Sequence, residues 1–208
     1  MTLTFLGTRG EIEARTRRHR MHTSLLVSYR TADVMIDCGL DWLGKSECLH
    51  PNAIVLTHAH PDHAWGLKRG ASCPVYAPQK TWKELEHYPI NDRHMIDEGT
   101  AVKISGIVFE AFPVEHSILS PAVGYRVTAG RARIFYAPDL IFIYDRNAAL
   151  HGVQLYIGGW RHSHANVHSP TRQSTDRSLG CADATDMVPK RGGAARNRHP
   201  LRIGNRQR

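Results

Sequence analysis

The chain has 208 residues, which is enough to bury a sizeable core, so one folded domain is the natural expectation. Its net charge of +8 would suggest a nucleic-acid or membrane partner, but the charge is unevenly placed. Residues 160–208 hold ten basic and three acidic residues, a net of +7, whereas residues 1–159 hold 17 basic and 16 acidic residues, a net of +1. The body of the chain is therefore nearly neutral, and the positive charge belongs to its C-terminal segment.

The N-terminus and the cysteines bear on where the protein works. The first apolar run ends at Gly7 and is followed at once by Arg9, so it is too short for a signal peptide. The sequence has no run of eighteen apolar residues that could cross a membrane. Its four cysteines are scattered, without a Cys-x-x-Cys pair, and fit reduced thiols better than a disulfide framework. We therefore expect a soluble, cytoplasmic protein with no membrane partner.

Short hydrophobic runs predict a chain made mostly of strands. Strands are expected at residues 3–6, 23–29, 34–37, 53–56, 74–77 and 152–158. The segments 102–112 and 122–136 predict two hairpins, with Gly106 and Gly130 at their turns. Helices are expected to begin near residues 64–67 and to span residues 79–87. This pattern suits two packed sheets flanked by helices, which is an α+β fold.

Three histidines and an aspartate stand directly after the predicted strand at residues 53–56. His58 and His60 are two residues apart, so in an extended segment their rings point to the same side. Asp62 and His63 follow Pro61, where the chain turns, and can face a second ion close to the first. Imidazole nitrogen and carboxylate oxygen are ligands of zinc, iron and manganese. The alternative is a polar loop whose histidines face water, but the density of the cluster favours a metal site.

This motif, His-x-His-x-Asp-His after a hydrophobic strand, resembles the signature of the metallo-β-lactamase-fold hydrolases. The fold that the resemblance implies is an αββα sandwich. The resemblance also implies that His58 and His60 bind one metal ion, while Asp62 and His63 bind another. Members of this family have a later histidine that completes the first ion's ligands, and then an aspartate that bridges the two ions.

Two residues farther along the chain match these later ligands. His116 follows the end of a predicted strand, and a glycine-aromatic strand comes soon after it. The resemblance implies that His116 binds the first ion, although a surface histidine at a strand end would look the same. Asp139 follows the predicted strand at residues 132–136, and the resemblance implies that it bridges the ions. Alternatively, Asp139 caps a helix that begins at Leu140.

The resemblance implies two divalent metal ions as cofactors, with Zn²⁺ expected first and Mn²⁺ or Fe²⁺ as alternatives. Such ions lower the pKa of bound water from about 15.7 toward 7, so that a bridging hydroxide can attack phosphorus or a carbonyl carbon. Asp62 can accept the proton as a general base and is the predicted catalytic residue.

The N-terminal region suggests a preference for phosphate. The loop at residues 11–22 is either a solvated basic loop or a rim that faces phosphate, because arginine forks match phosphate oxygens. Its arginines are Arg15, Arg17, Arg18 and Arg20. The Leu-Gly-Thr opening is similar to that of ribonuclease Z and the cyclic-phosphate phosphodiesterases. Asp37 either starts a turn or supports the metal-binding loop from behind, and in neither role is it a ligand.

After Trp160 the apolar periodicity disappears, and arginine, serine, glycine and histidine dominate. Such a composition cannot bury enough apolar surface to offset the entropy of ordering. We therefore predict a metallo-β-lactamase-fold domain at residues 1–159 and a basic tail at residues 160–208 that is disordered or the product of a frameshift. The family's last histidine has no clear match, so either His162 or His164 substitutes for it or the second metal site is impaired.

Together these features predict a metal-dependent hydrolase whose substrate is a small-molecule or nucleic-acid phosphodiester, or a related phosphate ester. A thioester or lactam hydrolase of the same fold is one alternative, and a catalytically impaired remnant is another. An alternative of another class is a nucleic-acid-binding protein that acts through phosphate contacts of the basic tail.

Overall fold

Apolar segments separated by turns and short helices build a first sheet from the N-terminal half of the chain. The structure is a computed structural model that describes residues 1–116 and 121–160. The strands are β1 (Thr2–Gly7), β2 (Ser24–Tyr29), β3 (Ala32–Ile36), β4 (Ala53–Val55), β5 (Val75–Ala77) and β6 (Arg93–Met95). They lie side by side in chain order, and β1 to β3 pair antiparallel whereas β3 to β6 pair in parallel. Parallel neighbours need crossover connections, and these contain the short helices α1 (Pro61–Ala64) and α2 (Gln79–Glu84).

The second sheet comes from the following segment. Its strands are β7 (Ala101–Ile104), β8 (Ile107–Glu115), β9 (Ala122–Ala129), β10 (Ala132–Leu140), β11 (Phe142–Ile143) and β12 (Leu155–Trp160), and helix α3 (Arg146–Leu150) precedes β12. The strand order is β11-β8-β9-β10-β12, and β7 also pairs with β8. Only the β10–β12 pair is parallel among the described strands of this sheet.

The two sheets pack face to face and share one interior core. This core includes Val27 and Val55 from the first sheet and Phe109 and Tyr125 from the second. The outer face of the first sheet packs under short helices and loops, and the outer face of the second sheet packs against α3. Helices therefore cover both sides of a two-sheet core, so the predicted αββα sandwich is confirmed.

One edge of the sandwich collects the ends of strands from both sheets. Because β3 and β4 are parallel neighbours, their carboxyl ends lie side by side. The ends of β8 and β10 flank the beginning of β9. Two hydrogen bonds tie β9 to the segment after β4: Val123 N donates to Thr57 O at 3.1 Å, and the Tyr125 hydroxyl donates to Leu56 O at 2.7 Å. Segments that follow β3, β4, β8 and β10 therefore meet at one place.

Several predicted boundaries differ from the structure. The helix expected at residues 79–87 ends at Glu84, and the helix after the histidine motif is one turn of α1 followed by a 3-10 turn at Trp65–Leu67. The strand expected at residues 152–158 is Leu155–Trp160, because Gly152 adopts a positive φ of 68° in a turn. Strand β6 was not predicted, since all three of its residues are exposed and none signals burial.

Cys38 and Cys73 are free thiols. Among the described residues, no helix is both long and apolar enough to cross a membrane. The predicted tail falls outside the described residues after Trp160, so the domain boundary at residue 159 stays a prediction.

Candidate metal centre

The histidine motif forms the loop after β4 and the first turn of α1. Pro61 is the first residue of α1, where its missing N–H leaves no helical hydrogen bond unmade. His58 and His63 are fully buried, and their ring centroids lie 4.1 Å apart. The His60 ring lies 4.7 Å from that of His58, at an angle of 74°. The turn at Pro61 therefore brings the three imidazoles together.

His116 and Asp139 come to this loop from the second sheet and complete a first cluster, which consists of His58, His60, His116 and Asp139. Each member offers one ligand atom, and these atoms all lie within 4.8 Å of one another. Nε2 of His116 is 3.0 Å from Nδ1 of His60 and 3.5 Å from Oδ2 of Asp139. Nε2 of His58 lies 3.8 Å from the same carboxylate oxygen. Residues as far apart in the chain as His58 and Asp139 thus converge on one point.

A second cluster consists of Asp62, His63 and Asp139. Nε2 of His63 lies 3.3 Å from Oδ2 of Asp62 and 3.2 Å from Oδ2 of Asp139. Asp139 belongs to both clusters, and its side chain is one-quarter exposed. It lies at the end of β10, and the next helix is α3, which is capped by Asp145. The alternative in which Asp139 caps a helix from Leu140 is therefore wrong.

Asp37 holds His63 from behind. Its carboxylate accepts hydrogen bonds from Thr57 N at 2.8 Å, from Thr57 Oγ1 at 2.9 Å and from His63 Nδ1 at 2.9 Å. Asp37 follows β3 with a positive φ of 63°, a conformation that aspartate tolerates better than most residues. This arrangement fixes the imidazole so that Nε2 points toward Asp62 and Asp139.

The buried charges shift the pKa values of these side chains. Burial raises the pKa of Asp37, although His63 and Thr57 oppose this shift. Burial alone would lower the pKa of His63, but the charge of Asp37 and the nearby carboxylate of Asp139 hold it well above its ordinary value. The pKa of Asp62 is lowered, because the neighbouring His63 outweighs the effect of burial. Asp62 is therefore a carboxylate at neutral pH.

The donor set and its spacing fit divalent metal ions. Bonds of about 2.0–2.2 Å around a tetrahedral ion leave neighbouring ligand atoms about 3.4 Å apart. The contacts described above within the two clusters range from 3.0 to 3.8 Å. Nε2 of His63 is buried and makes no directed hydrogen bond, although two carboxylate oxygens are near. A buried nitrogen in this setting is suited to a metal ligand.

Next to these clusters lies a buried ion pair that the sequence analysis missed. Arg9 is only 5% exposed, and its Nη2 donates to Oδ2 of Asp41 at 2.5 Å. Asp41 also accepts hydrogen bonds from His22 N at 2.9 Å and from Arg15 Nη2 at 2.8 Å. Burial alone would raise the pKa of Asp41, but the bonds from His22 and Arg9 hold it well below its ordinary value. We call Arg9, Arg15, His22 and Asp41 the loop anchor.

The loop anchor fixes the N-terminal loop against the second cluster. A Cβ atom at Gly10 would lie 3.6 Å from Oδ2 of Asp62, so the loop backbone passes directly beside this carboxylate. A Cβ atom at Gly39 would lie 2.1 Å from Asp62 O and 2.4 Å from His22 Cβ. Only glycine therefore fits at residue 39. The basic loop provided the sequence signal, but the partner, Asp41, lies 32 residues from Arg9.

The remaining predictions concern the arginines of the N-terminal loop and the last metal ligand. Arg15 is engaged by Asp41 rather than pointing freely toward solvent. Arg17, Arg18 and Arg20 are exposed, and their role as a phosphate-facing rim stays a prediction. His162 and His164, the candidates for the last ligand, lie outside the described residues.

Comparison with known proteins gives a family for this arrangement. The family model described as the β-lactamase superfamily domain matches residues 32–189 of this sequence. This range includes every residue of both clusters. The match also extends past residue 159 into the predicted tail.

Two curated relatives are nucleases. An exodeoxyribonuclease, YycJ of Bacillus anthracis, is 28% identical over 153 residues, which are 61% of this chain and 57% of the relative. A ribonuclease Z of Bacillus licheniformis is 32% identical over 154 residues, which are 61% of this chain and 48% of the relative. The chain thus spans about half the length of the curated relatives it matches.

A solved structure shares the architecture. A crystal structure described as a new diphosphatase from the PhnP family superimposes with a TM-score of 0.55 and 27% sequence identity. The alignment covers 74% of this chain and 71% of the diphosphatase chain.

Proposed function

Because this chain belongs to the β-lactamase superfamily, we propose that it is a metal-dependent hydrolase that cleaves phosphodiesters or related phosphate esters. The observation that carries the proposal is the pair of clusters joined by Asp139, since they gather histidine and carboxylate side chains from three strand ends, those of β4, β8 and β10. His58, His60 and His116 would hold one divalent ion, and Asp62 and His63 would hold the other. Zn²⁺ suits this mixture of imidazole and carboxylate ligands best, and Mn²⁺ or Fe²⁺ are the alternatives.

The metal ions would supply a water of lowered pKa and an electrophilic surface for the ester. Asp62 is the proposed general base, because it is deprotonated at neutral pH and lies in the second cluster, where the water would be held. Asp37 keeps Nε2 of His63 directed at the second cluster, since it binds the opposite ring nitrogen. The shared carboxylate of Asp139 sets the distance between the two clusters.

Phosphodiesters are the proposed substrate class for two reasons. The similar proteins reported above are named as nucleases, which cleave phosphodiesters, and as a diphosphatase. The loop anchor also brings the arginine-rich loop beside Asp62, where guanidinium groups can face phosphate oxygens. A small-molecule ester and a nucleic acid both satisfy this chemistry.

The first test is metal content by elemental analysis, together with hydrolysis of bis(p-nitrophenyl) phosphate by the same sample. Thioester and lactam substrates serve as comparison assays. We expect His116→Ala to lower the metal content by up to one ion per chain and to lower phosphodiester turnover by at least tenfold, because it removes a buried member of the first cluster. His151→Ala is the matched control, since His151 is exposed and belongs to neither cluster. Equal activity in the wild type and His116→Ala would overturn the proposal.

The stoichiometry also bears on the C-terminal tail. About two ions per chain with turnover would indicate that the full chain completes the second site. One ion or none, with little turnover, would indicate a lost final ligand and an impaired enzyme. Salt-sensitive binding to nucleic acid that needs residues 160–208 and no metal would instead favour the nucleic-acid-binding alternative.

A further inference from the structure

A cavity opens beside the first cluster, on the side of the second sheet. Its volume is about 480 Å³, which is within the range of sites for small organic ligands. Its walls include His116 together with Pro78, Pro113, Ile141 and Tyr144. The cavity therefore has a proposed metal ligand at one end and mainly apolar walls beyond it.

Strand pairing holds Tyr144 at a fixed place in this cavity. Strand β11 pairs antiparallel with β8, so that Phe142 lies opposite Glu115 and Ile143 lies opposite Val114. Continuing this register puts Tyr144 beside Pro113, three residues from His116. With a rise of about 3.3 Å per residue, Tyr144 is about 10 Å along the strand from His116. A nucleotide spans this distance between its phosphate and the far edge of its base.

The side chains at this end of the cavity are unusually exposed for their type. Ile141, Phe142 and Tyr144 are 64%, 53% and 61% exposed, although each is large and apolar or aromatic. The rings of Phe142 and Tyr144 meet edge to face, with centroids 6.0 Å apart. Exposed apolar groups gathered beside a polar site indicate a binding surface.

Lys80 and Glu98 add polar groups to the cavity wall. Their charged atoms lie 3.7 Å apart, and both side chains remain substantially exposed. They can therefore form hydrogen bonds with a ligand as well as with each other. An aromatic wall with a nearby donor and acceptor suits a flat heterocycle better than it suits an aliphatic chain.

We propose that this cavity binds the nucleoside portion of a phosphodiester and that Tyr144 stacks on its base. The inference rests on the proposed function, because it places the substrate's phosphate at the metal clusters. Stacking on an aromatic side chain tolerates any base, so it selects nucleotides over other esters rather than one nucleotide over another.

The test compares two substrates that differ only in the base. One is the p-nitrophenyl ester of thymidine 5′-monophosphate, and the other is the same ester of 1,2-dideoxyribose 5-phosphate, which lacks a base. We expect Tyr144→Ala to lower kcat/KM for the thymidine ester about tenfold and to leave the abasic ester unchanged. Tyr144→Phe should retain wild-type behaviour, because the ring is kept. Tyr156→Ala is the matched control, since Tyr156 is also an exposed tyrosine of the second sheet but does not line the cavity.

Equal losses on both esters, or no loss on either, would overturn the stacking role. Calorimetric binding of thymidine 5′-monophosphate and of 1,2-dideoxyribose 5-phosphate supplies a readout that needs no turnover. The wild type should bind the thymidine compound about tenfold more tightly, and Tyr144→Ala should remove that preference. If base-dependent binding is found without hydrolysis, the cavity assignment stands and the proposed function fails. Equal affinity of the wild type for the two compounds would overturn the cavity assignment itself.

Discussion

Replacing Asp37 by asparagine should weaken metal binding although Asp37 is not a ligand. Asparagine has nearly the same shape and also tolerates the positive φ of 63° at this position, so the change isolates the carboxylate charge from backbone strain. Asp37 accepts hydrogen bonds from both Thr57 and His63, whereas an asparagine has only one acceptor oxygen.

Either orientation of the new amide has a cost. If its oxygen faces Thr57 N, its NH₂ group faces Nδ1 of His63, and the ring proton must then move to Nε2, the nitrogen that is needed for the metal. If its oxygen faces His63, the buried Thr57 N–H faces another donor and has no acceptor. This lowers the free energy of unfolding by about 1–3 kcal/mol. The first orientation should lower metal affinity by about 10- to 100-fold, which is the usual effect of removing a group that orients a metal-binding histidine.

The assay is a Zn²⁺ competition titration against a chromophoric chelator, with urea unfolding of the metal-free protein measured in parallel. Asp92→Asn is the control, because Asp92 contacts His94 at 2.6 Å in a similar aspartate–histidine pair on the exposed surface. This control should bind Zn²⁺ as the wild type does. A folded Asp37→Asn protein with both wild-type Zn²⁺ affinity and wild-type stability in urea would refute the reasoning.

Two further predictions concern the surroundings of Asp62. Asp41→Asn should destabilise the metal-free protein by about 3–5 kcal/mol at pH 7, because it leaves the Arg9 guanidinium buried without a counter-charge. The pKa of Asp41 is lowered in the folded state, so its contribution is present above the unfolded value of about 3.9 and is lost as pH falls further. Urea unfolding at pH 7 and pH 3 should therefore show a smaller difference between variant and wild type at pH 3, and an unchanged difference would contradict this account. Gly39→Ala should reduce metal content and lower the melting temperature, since its Cβ would overlap Asp62 O, whereas Gly10→Ala should be tolerated at 3.6 Å from the nearest atom. Equal behaviour of the two glycine variants would show that the close approach at residue 39 has no consequence.

The proposed ligand residues were accessible to sequence reasoning because each one stands at, or soon after, the end of a strand. His58, His60 and His63 follow a short apolar run, and His116 and Asp139 follow two others, so the periodicity that predicts the strands also marks the positions after them. In a two-sheet sandwich, such positions can meet at one edge. Periodicity does not indicate at which edge of the sandwich these positions meet. The prediction that they meet at one metal centre came from the resemblance to the family.

The loop anchor was not accessible in this way. Arg9 and Asp41 are 32 residues apart, and neither a loop nor the one-turn 3-10 helix that contains Asp41 has a periodicity that indicates which side chain is buried. A basic loop normally predicts solvated arginines, and nothing local distinguishes the one that is 5% exposed from its neighbours. Helix lengths were also poorly predicted, since α1 is a single turn that continues as a 3-10 turn at Trp65–Leu67. Only the tertiary contacts fix these features.

The location of the candidate centre links metal binding to the packing of the two sheets. Its proposed ligands come from both sheets, and the hydrogen bonds from Val123 and Tyr125 to the segment after β4 hold the two sheets together beside them. An ion that binds only the packed arrangement stabilises it by RT ln(1 + [L]/Kd), which is about 2.7 kcal/mol at a free ion concentration of one hundred times Kd. The same linkage makes a mutation that loosens the sheet interface lower the apparent metal affinity without touching any ligand. Each cluster combines residues that follow β4 of the first sheet with Asp139 of the second sheet, so neither sheet alone contains a complete cluster. Loss of metal should therefore weaken the packing of the two sheets, and weaker packing should lower the affinity for metal.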